Sequence, residues 1–263
     1  MSRLFDVADL HVTYRRPGER PLEAVKGVDF ALEEGETLGI VGESGSGKST
    51  IAKALMLLLP ASGGEIRFCG RNVAQFSAAE RKAYRRDVQM VFQDAVGSLN
   101  PRMTIRQALA EAFAVSGRAD AAGGPRKPED LLDIVGLSRA VLDQYPRELS
   151  GGQCQRASFA RALAVHPRVL VADEPVSALD VSVQARILNL MRDLRRELGL
   201  AVILIAHDLA VVRNVCDRVC VMHKGLFADA GTADEVFARP TSDYTKNLLA
   251  AVPDVARELA KRI

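Results

Sequence analysis

The segment GESGSGKST, Gly42 to Thr50, constrains this chain more than any other. It satisfies Gly-x-x-x-x-Gly-Lys-Ser between a short apolar run, TLGIVG (Thr37–Gly42), and STIAKALMLLL (Ser49–Leu59), which has helical character and stops at Pro60. A strand, a glycine loop and a helix in that order make a phosphate cradle. Gly42, Gly45 and Gly47 permit the tight backbone that turns N–H groups toward phosphate oxygens, at the positive end of the helix that follows. Gly42, Glu43, Ser44, Gly45, Ser46, Gly47, Lys48, Ser49 and Thr50 are therefore the candidate nucleotide-binding residues. Lys48 is placed to reach the β- and γ-phosphates, and Ser49 to hold Mg2+ through its hydroxyl.

RVLVADE supplies what such a cradle needs opposite it. An apolar strand ending in Asp173 carries a carboxylate to the metal. Glu174 beside it is a candidate base for the attacking water. Around these motifs the pattern alternates. LFDVADLHVTY (Leu4–Tyr14) and VKGVDFALEEGE read as strands around the turn RRPGERP, and GGEIRFCGRNV returns to strand and turn. SAAERKAYRRD reads as a solvent-exposed helix, and VQMVFQD (Val88–Asp94) as a strand. Between Pro101 and Pro167 the character is helical, interrupted by the linker-like SGRADAAGGPRKP (Ser116–Pro128). A strand at RVLVAD, a helix over Val181–Leu198, the strand LAVILIA, a further helix and the strand DRVCVMHKG follow. Apolar strands alternating with helices predict a buried parallel sheet, and so an α/β fold.

Bulk properties narrow the function. The 263 residues are 48% hydrophobic, enough for one large domain or a core with an attached lobe. A net charge of +2 with 5% aromatics argues against a nucleic-acid partner. The run Arg81, Lys82, Arg85 and Arg86 is read as a solvated helix face. The N-terminus MSRLFDVADL has acids where a secretory signal is apolar. No uncharged apolar run is long enough to span a bilayer, so membrane association is expected to come through a partner. Cys69, Cys154, Cys216 and Cys220 lack a zinc pattern and read as core filler in a reducing compartment.

LSGGQCQR, Leu149 to Arg156, is a second glycine-rich helix start and hence a second candidate anion site. With it, the chain closely resembles the ATP-binding subunits of ABC transporters, from Val12 to about Asp254. The resemblance implies a P-loop NTPase core of the ABC ATPase type, an N-terminal antiparallel β-lobe and a helical subdomain about 94–165. The ATPase domain then covers 1–254, with a short tail at 255–263. In that family the segment at Ser150, Gly151, Gly152 and Gln153 binds the γ-phosphate of ATP held by the other subunit, so two cradles serve two nucleotides. Tyr14 in VTY matches the aromatic residue that stacks on adenine. Gln93 in VFQD matches the metal- and water-sensing glutamine, and Asp180 in SALD the aspartate that communicates across the dimer. His207 in IAHD matches the histidine that contacts the γ-phosphate. Cys154 and Ala206 stand where a polar residue and threonine are commoner.

The implied site comprises Glu174, His207, Gln93 and Lys48 for catalysis, with Ser49, Gln93 and Asp173 around the metal; ATP and Mg2+ are the cofactors. Implied partners are a second copy or a paralogous ATPase, two transmembrane permease subunits and, indirectly, an extracytoplasmic solute-binding protein. The place is the cytoplasmic face of the inner membrane, peripherally. QMVFQDAVGSLNPRMTIRQAL and ARPTSDYTKNLLAAVPD resemble the dipeptide, oligopeptide and nickel importer group. There the region after the glutamine lies near the permease-docking lobe, which makes Leu99 and Asn100 the expected docking positions. Peptide-importing relatives often continue into a cysteine-containing extension after a position like Pro253, so peptides, nickel and similar small solutes stay open. A soluble ABC-type ATPase of a non-transport enzyme complex, such as one of phosphonate breakdown, is the alternative, and a DNA-maintenance ATPase a distant third.

Overall fold

The structure, a computed structural model, describes residues 2–15, 17–18, 20–116, 127–177 and 179–251. Most of the expected linker, and all of the tail expected at 255–263 with Pro253 and Asp254, fall outside the described residues. Two sheets organise the chain. In the first, β1 (Arg3–Tyr14) pairs antiparallel with β2 (Leu22–Glu33) and with β4 (Gly63–Phe68), and the short β5 (Arg71–Asn72) extends β4. This is the antiparallel lobe that the resemblance implies, built from segments whose alternation reads as strands.

The second sheet runs in the order β10 (Leu226–Thr232), β9 (Arg218–His223), β3 (Thr37–Val41), β8 (Ala201–Ala206), β7 (Val169–Asp173) and β6 (Val88–Val91). All its pairings are parallel except that of β10 with β9. β3, β7 and β8 are buried at every residue, which is why they read as continuous apolar runs without alternation. Their side chains nevertheless alternate between two cores. Leu38, Ile40, Val171, Ile203 and Ile205 face one core with α1 (Lys48–Leu55), α2 (Ala78–Asp87) and the β-lobe. Val41, Leu170, Ala172, Val202 and Leu204 face the other, with α6 (Gly151–Leu163), α7 (Val181–Leu198) and α8 (Leu209–Arg213). Between β6 and β7 lie α3 (Ala95–Ser98), α4 (Ile105–Ser116) and α5 (Pro128–Ile134), each packed against α6. After β10, α9 (Ala233–Ala238) and α10 (Asp243–Ala250) complete the described chain.

Several expectations are corrected. α1 ends at Leu55, not Leu59. Leu57 turns into the left-handed region (φ 56°), and the N–H groups of Leu58 and Leu59 both fold back on the Lys53 carbonyl. Met56, Leu57 and Leu59 then cover the β-lobe core, so the apolar run reflects packing across a helix stop. α2 is not exposed all round: Tyr84 is buried among Phe5, Phe68 and Phe76, while Arg81, Lys82 and Arg85 face solvent and Arg86 is half-buried. Cys154, Cys216 and Cys220 are core residues, whereas Cys69 is exposed. Among the described residues no helix is long and apolar enough to cross a membrane.

Candidate nucleotide-binding and hydrolysis site

The carboxyl ends of β3, β6, β7 and β8 converge on one edge, where ligands of open α/β sheets are bound. β3 runs into Gly42, whose φ of 150° leaves no room for a side chain: a Cβ there would lie 2.1 Å from the Met222 carbonyl oxygen. Gly47, at φ 115°, would put one 2.4 Å from the Ala24 carbonyl oxygen. Gly45 has open space around it and is needed for its φ of 80° alone. Gly47 also begins α1 with no side-chain cap, so the helix starts with bare backbone donors facing the loop.

Lys48 is buried, and its ammonium donates to the carbonyls of Gly42 at 2.7 Å and Glu43 at 2.8 Å. Burial lowers its pKa, against the opposing pull of the Glu174, Asp173 and Glu43 carboxylates. The Ser46 hydroxyl is buried in the same loop without a hydrogen-bond partner. Tyr14 ends β1 with its hydroxyl 3.2 Å from Thr50 Oγ1, beside the first turn of α1.

A metal position fits beneath the loop. Ser49 Oγ donates to Asp173 Oδ1 at 3.0 Å, at the end of β7. Burial pushes the Asp173 carboxyl up, the Ser49 hydrogen bond opposes that, and Glu174 adds to it. A buried carboxylate beside a hydroxyl, with its charged form disfavoured by lack of water, is an oxygen donor set suited to a hard cation such as Mg2+. Gln93, expected near the metal, is bonded elsewhere.

Gln93, Glu174 and His207 form a second cluster. Glu174 adopts φ 47°, a conformation costing a non-glycine residue about 1–3 kcal/mol, and its N–H is tied to the Ile205 carbonyl at 3.0 Å. That kink turns its carboxylate inward, 14% exposed. Glu174 Oε2 accepts from Gln93 Nε2 at 3.2 Å and pairs with His207 Nδ1 at 3.2 Å. Ser177, absent from the sequence reading, joins them: its Oγ accepts from Gln93 at 3.2 Å and donates to the Glu174 carbonyl at 3.1 Å. Gln155 was also missed. It is 2% exposed with an unpartnered amide nitrogen, and lines a cavity of about 390 Å3 with Gln93, Asp94, Gly151 and Glu174. Ser177 carries no motif spacing of its own, and Gln155 stands inside LSGGQCQR with nothing in that motif to say that it shares a cavity with Glu174.

The LSGGQ segment begins α6, and its Gly151 lines the same cavity as Gln93 and Glu174. Ser150 caps α6 by accepting from Gln153 N–H at 3.3 Å, and the Gln153 side chain accepts from Ser150 N–H at 2.8 Å. Gly151 is exposed, and a Cβ on Gly152 would lie 2.7 Å from Val183 Cγ1. Asp180 caps the neighbouring α7 by accepting from Val183 N–H at 3.0 Å, and its carboxyl is held low chiefly by the Ser182 hydroxyl at 2.7 Å. The two helix starts thus touch each other through Gly152 and Val183, and side chains of their first turns also reach outside the helices, Cys154 Sγ to the Pro146 carbonyl and Gln184 Nε2 to the Val176 and Leu179 carbonyls. One expectation fails near here. Leu99 is 2% exposed and packs in the core, whereas Val96 on α3 is 49% exposed.

The family model described as ABC transporter matches residues 25–177. The oligopeptide transport ATP-binding protein OppF of Lactococcus lactis subsp. lactis is 45% identical over 100% of this chain and 85% of its own length. The OppF of Escherichia coli is 45% identical over 98% of this chain and 80% of its own. The dipeptide transport ATP-binding protein DppF of Lactococcus lactis subsp. cremoris is 42% identical over 96% and 82%. Among solved structures, a dimeric ATP-binding cassette in a post-hydrolysis state bound to ADP and Pi matches 88% of this chain and 99% of its own, with TM-score 0.75 and 30% identity. With its phosphate loop, its Ser49–Asp173 pair and its LSGGQ helix start on one α/β core, the chain belongs to the ABC transporter family, among the ATP-binding subunits.

Proposed function

We propose that this ATPase subunit powers an importer of oligopeptides or dipeptides, working as one half of a dimer whose two halves close on two MgATP. The observation that carries the reading is the 45% identity to a named oligopeptide transport ATP-binding protein along the whole chain. The relatives reported above are named for oligopeptides and dipeptides, which favours peptides over the nickel that the sequence motifs left open. The second half is another copy or a paralogue. The division into an ATPase domain over 1–254 with a helical insertion about 94–165 belongs to the same proposal, as do the permease subunits, the solute-binding protein and the inner-membrane location.

The residue roles follow from positions. Lys48 and the loop N–H groups bind the triphosphate, with Ser46 supplying a further donor. Ser49 and Asp173 would hold Mg2+, which when bound spreads the negative charge that develops on the phosphoryl oxygens. Tyr14 flanks the cradle where the adenine would stack. Glu174 orients a water and takes its proton. The Gln93 amide and His207 imidazole hold the Glu174 carboxylate in place, and His207 is half exposed, free to meet the γ-phosphate. Ser150, Gly151, Gly152 and Gln153 present the α6 start to the partner's nucleotide, with Asp180 beside them at the dimer face. Exposed Val96, with Asn100, replaces Leu99 as the expected permease contact. ATP hydrolysis by the purified chain, together with peptide uptake by the assembled transporter, tests the reading. Absence of hydrolysis at every protein concentration would overturn it, and uptake of nickel but not peptides would correct the solute.

A further inference from the structure

The phosphate loop is held from behind by parts of the chain beyond residues 25–177, the span matched by the family model. β9 ends at His223, and a turn through Lys224 and Gly225 leads into β10. The Gly225 N–H donates to the Ser46 carbonyl at 2.9 Å, and the Gly225 carbonyl accepts from Lys26 N–H at 2.9 Å. On β10 the buried Asp229 fixes where α10 begins: its Oδ1 accepts from Thr241 N–H at 3.1 Å and its Oδ2 from Ser242 N–H at 3.0 Å. Ser242 then caps α10 by accepting from Thr245 N–H at 3.1 Å, and Thr245 is fully buried. These bonds leave Tyr244, in the first turn of α10, aimed back at the loop.

Tyr244 makes two contacts. Its ring stacks on His223, with centroids 3.9 Å apart and planes 33° apart. Its hydroxyl oxygen accepts the Glu43 N–H at 3.3 Å. The Glu43 carbonyl, one peptide further on, accepts from Lys48 Nζ at 2.8 Å. Both backbone groups of Glu43 are therefore occupied, the N–H by α10 and the carbonyl by the lysine of the cradle and, at 3.2 Å, by the Ser46 N–H. Burial raises the Tyr244 pKa, so the hydroxyl stays neutral and accepts without bringing a negative charge to the phosphates.

We propose that Tyr244 is a positioning residue for the phosphate loop: by fixing the Glu43 backbone it holds Lys48 and the loop donors ready for a triphosphate, so that α10 sets the affinity for nucleotide. The inference rests on the reading of this loop as the ATP site. A loop ordered in advance spares the nucleotide the cost of ordering it. Because Glu43 is held equally before and during phosphoryl transfer, the contribution is to uniform binding, which moves KM and leaves kcat.

The test uses Tyr244→Phe and Tyr244→Ala in the full chain, measuring ATP Kd, KM, kcat and Tm. Tyr244→Phe keeps the ring on His223 and removes only the hydroxyl. It is expected to raise Kd and KM by about 2- to 12-fold, the range that one net hydrogen bond covers. Its kcat and Tm stay at the parent values, and Tyr244→Ala weakens ATP binding further. Parent-level Kd in Tyr244→Phe overturns the proposal, as does a fall in kcat at unchanged KM, or an affinity loss that appears only with a lowered Tm. If the alanine variant does not fold, the phenylalanine variant decides alone. Failure of the parent itself to bind ATP would sink the ATP-site reading, whereas normal binding by parent and Tyr244→Phe alike would sink only this inference.

Discussion

Two helices of this molecule begin at glycines, and they are finished in opposite ways. α1 starts at Gly47 with no side-chain cap, and its loop is held by Lys48 from within and by Gly225 and Tyr244 from outside. Its lysine is buried over the loop. α6 starts at Ser150 with a reciprocal cap made from its own first turn, an exposed Gly151 near Leu179, and Gly152 against Val183. Both ends carry the partial positive charge of a helix N-terminus. Only α1 couples it to a cation and to a pair of metal-suited oxygens. On the proposed function the contrast separates a complete cradle from a complementary half: α1 would hold a triphosphate within one chain, and α6 would add donors to the partner's.

Substitutions at the two starts should therefore fail differently. The largest effect is expected at the base that serves the α1 cradle. Glu174→Gln should lower kcat by about 10²–10⁴ with ATP binding retained, because the amide cannot take the proton of water. Parent-like turnover would remove Glu174 from that role. Next, Gly152→Val puts a branched side chain where Val183 already lies 2.7 Å from a Cβ. If α6 acts on the partner's nucleotide, hydrolysis should fall by about 10²-fold, the usual cost of losing one preorganised donor at a transition state. ATP binding by the single chain should not change, and weakened binding would erase the contrast. Lys48→Ala should do the reverse, lowering ATP affinity by about 10- to 100-fold through loss of a charged hydrogen bond, as read by titration calorimetry. The smallest effect is at the α6 cap. Ser150→Ala should cost about 0.5–2 kcal/mol of stability, visible as a lower Tm. At α1 there is no such cap to remove.

Much of this contrast was legible in the residues. The glycine loop with its flanking strand and helix, the acid pair after RVLVAD and the helix over Val181–Leu198 stand where their patterns put them, because local spacing carries each of them. The limits are equally physical. An apolar run cannot say where a helix stops and packing takes over, so α1 was read four residues too long, to Leu59 instead of Leu55. β10, LFADAGT, is a mixed-polarity edge strand without clean alternation and gave no strand signal. Leu99 reads as a surface docking residue but is buried in the core that α6 also lines. Contacts such as Gln93 with Ser177, or Tyr244 with Glu43 across 201 positions, depend on the assembled sheet and leave no trace in spacing. The mutual fit of Gly152 and Val183 is of the same kind.

The central claim is that one nucleotide needs the α1 cradle of one protomer and the α6 start of its partner. The direct test mixes two inactive chains, one carrying Lys48→Ala and the other Ser150→Arg. Paired with itself, the first lacks its lysine at both sites, and the second blocks both signature segments. In the mixed dimer one site combines the intact loop of the Ser150→Arg chain with the intact α6 start of the Lys48→Ala chain. Measured across mixing ratios at fixed total protein, ATP hydrolysis should rise above both parents and peak near equal amounts. A rate that never exceeds the sum of the two parents, or full activity from a monomeric parent chain at every concentration, would contradict it.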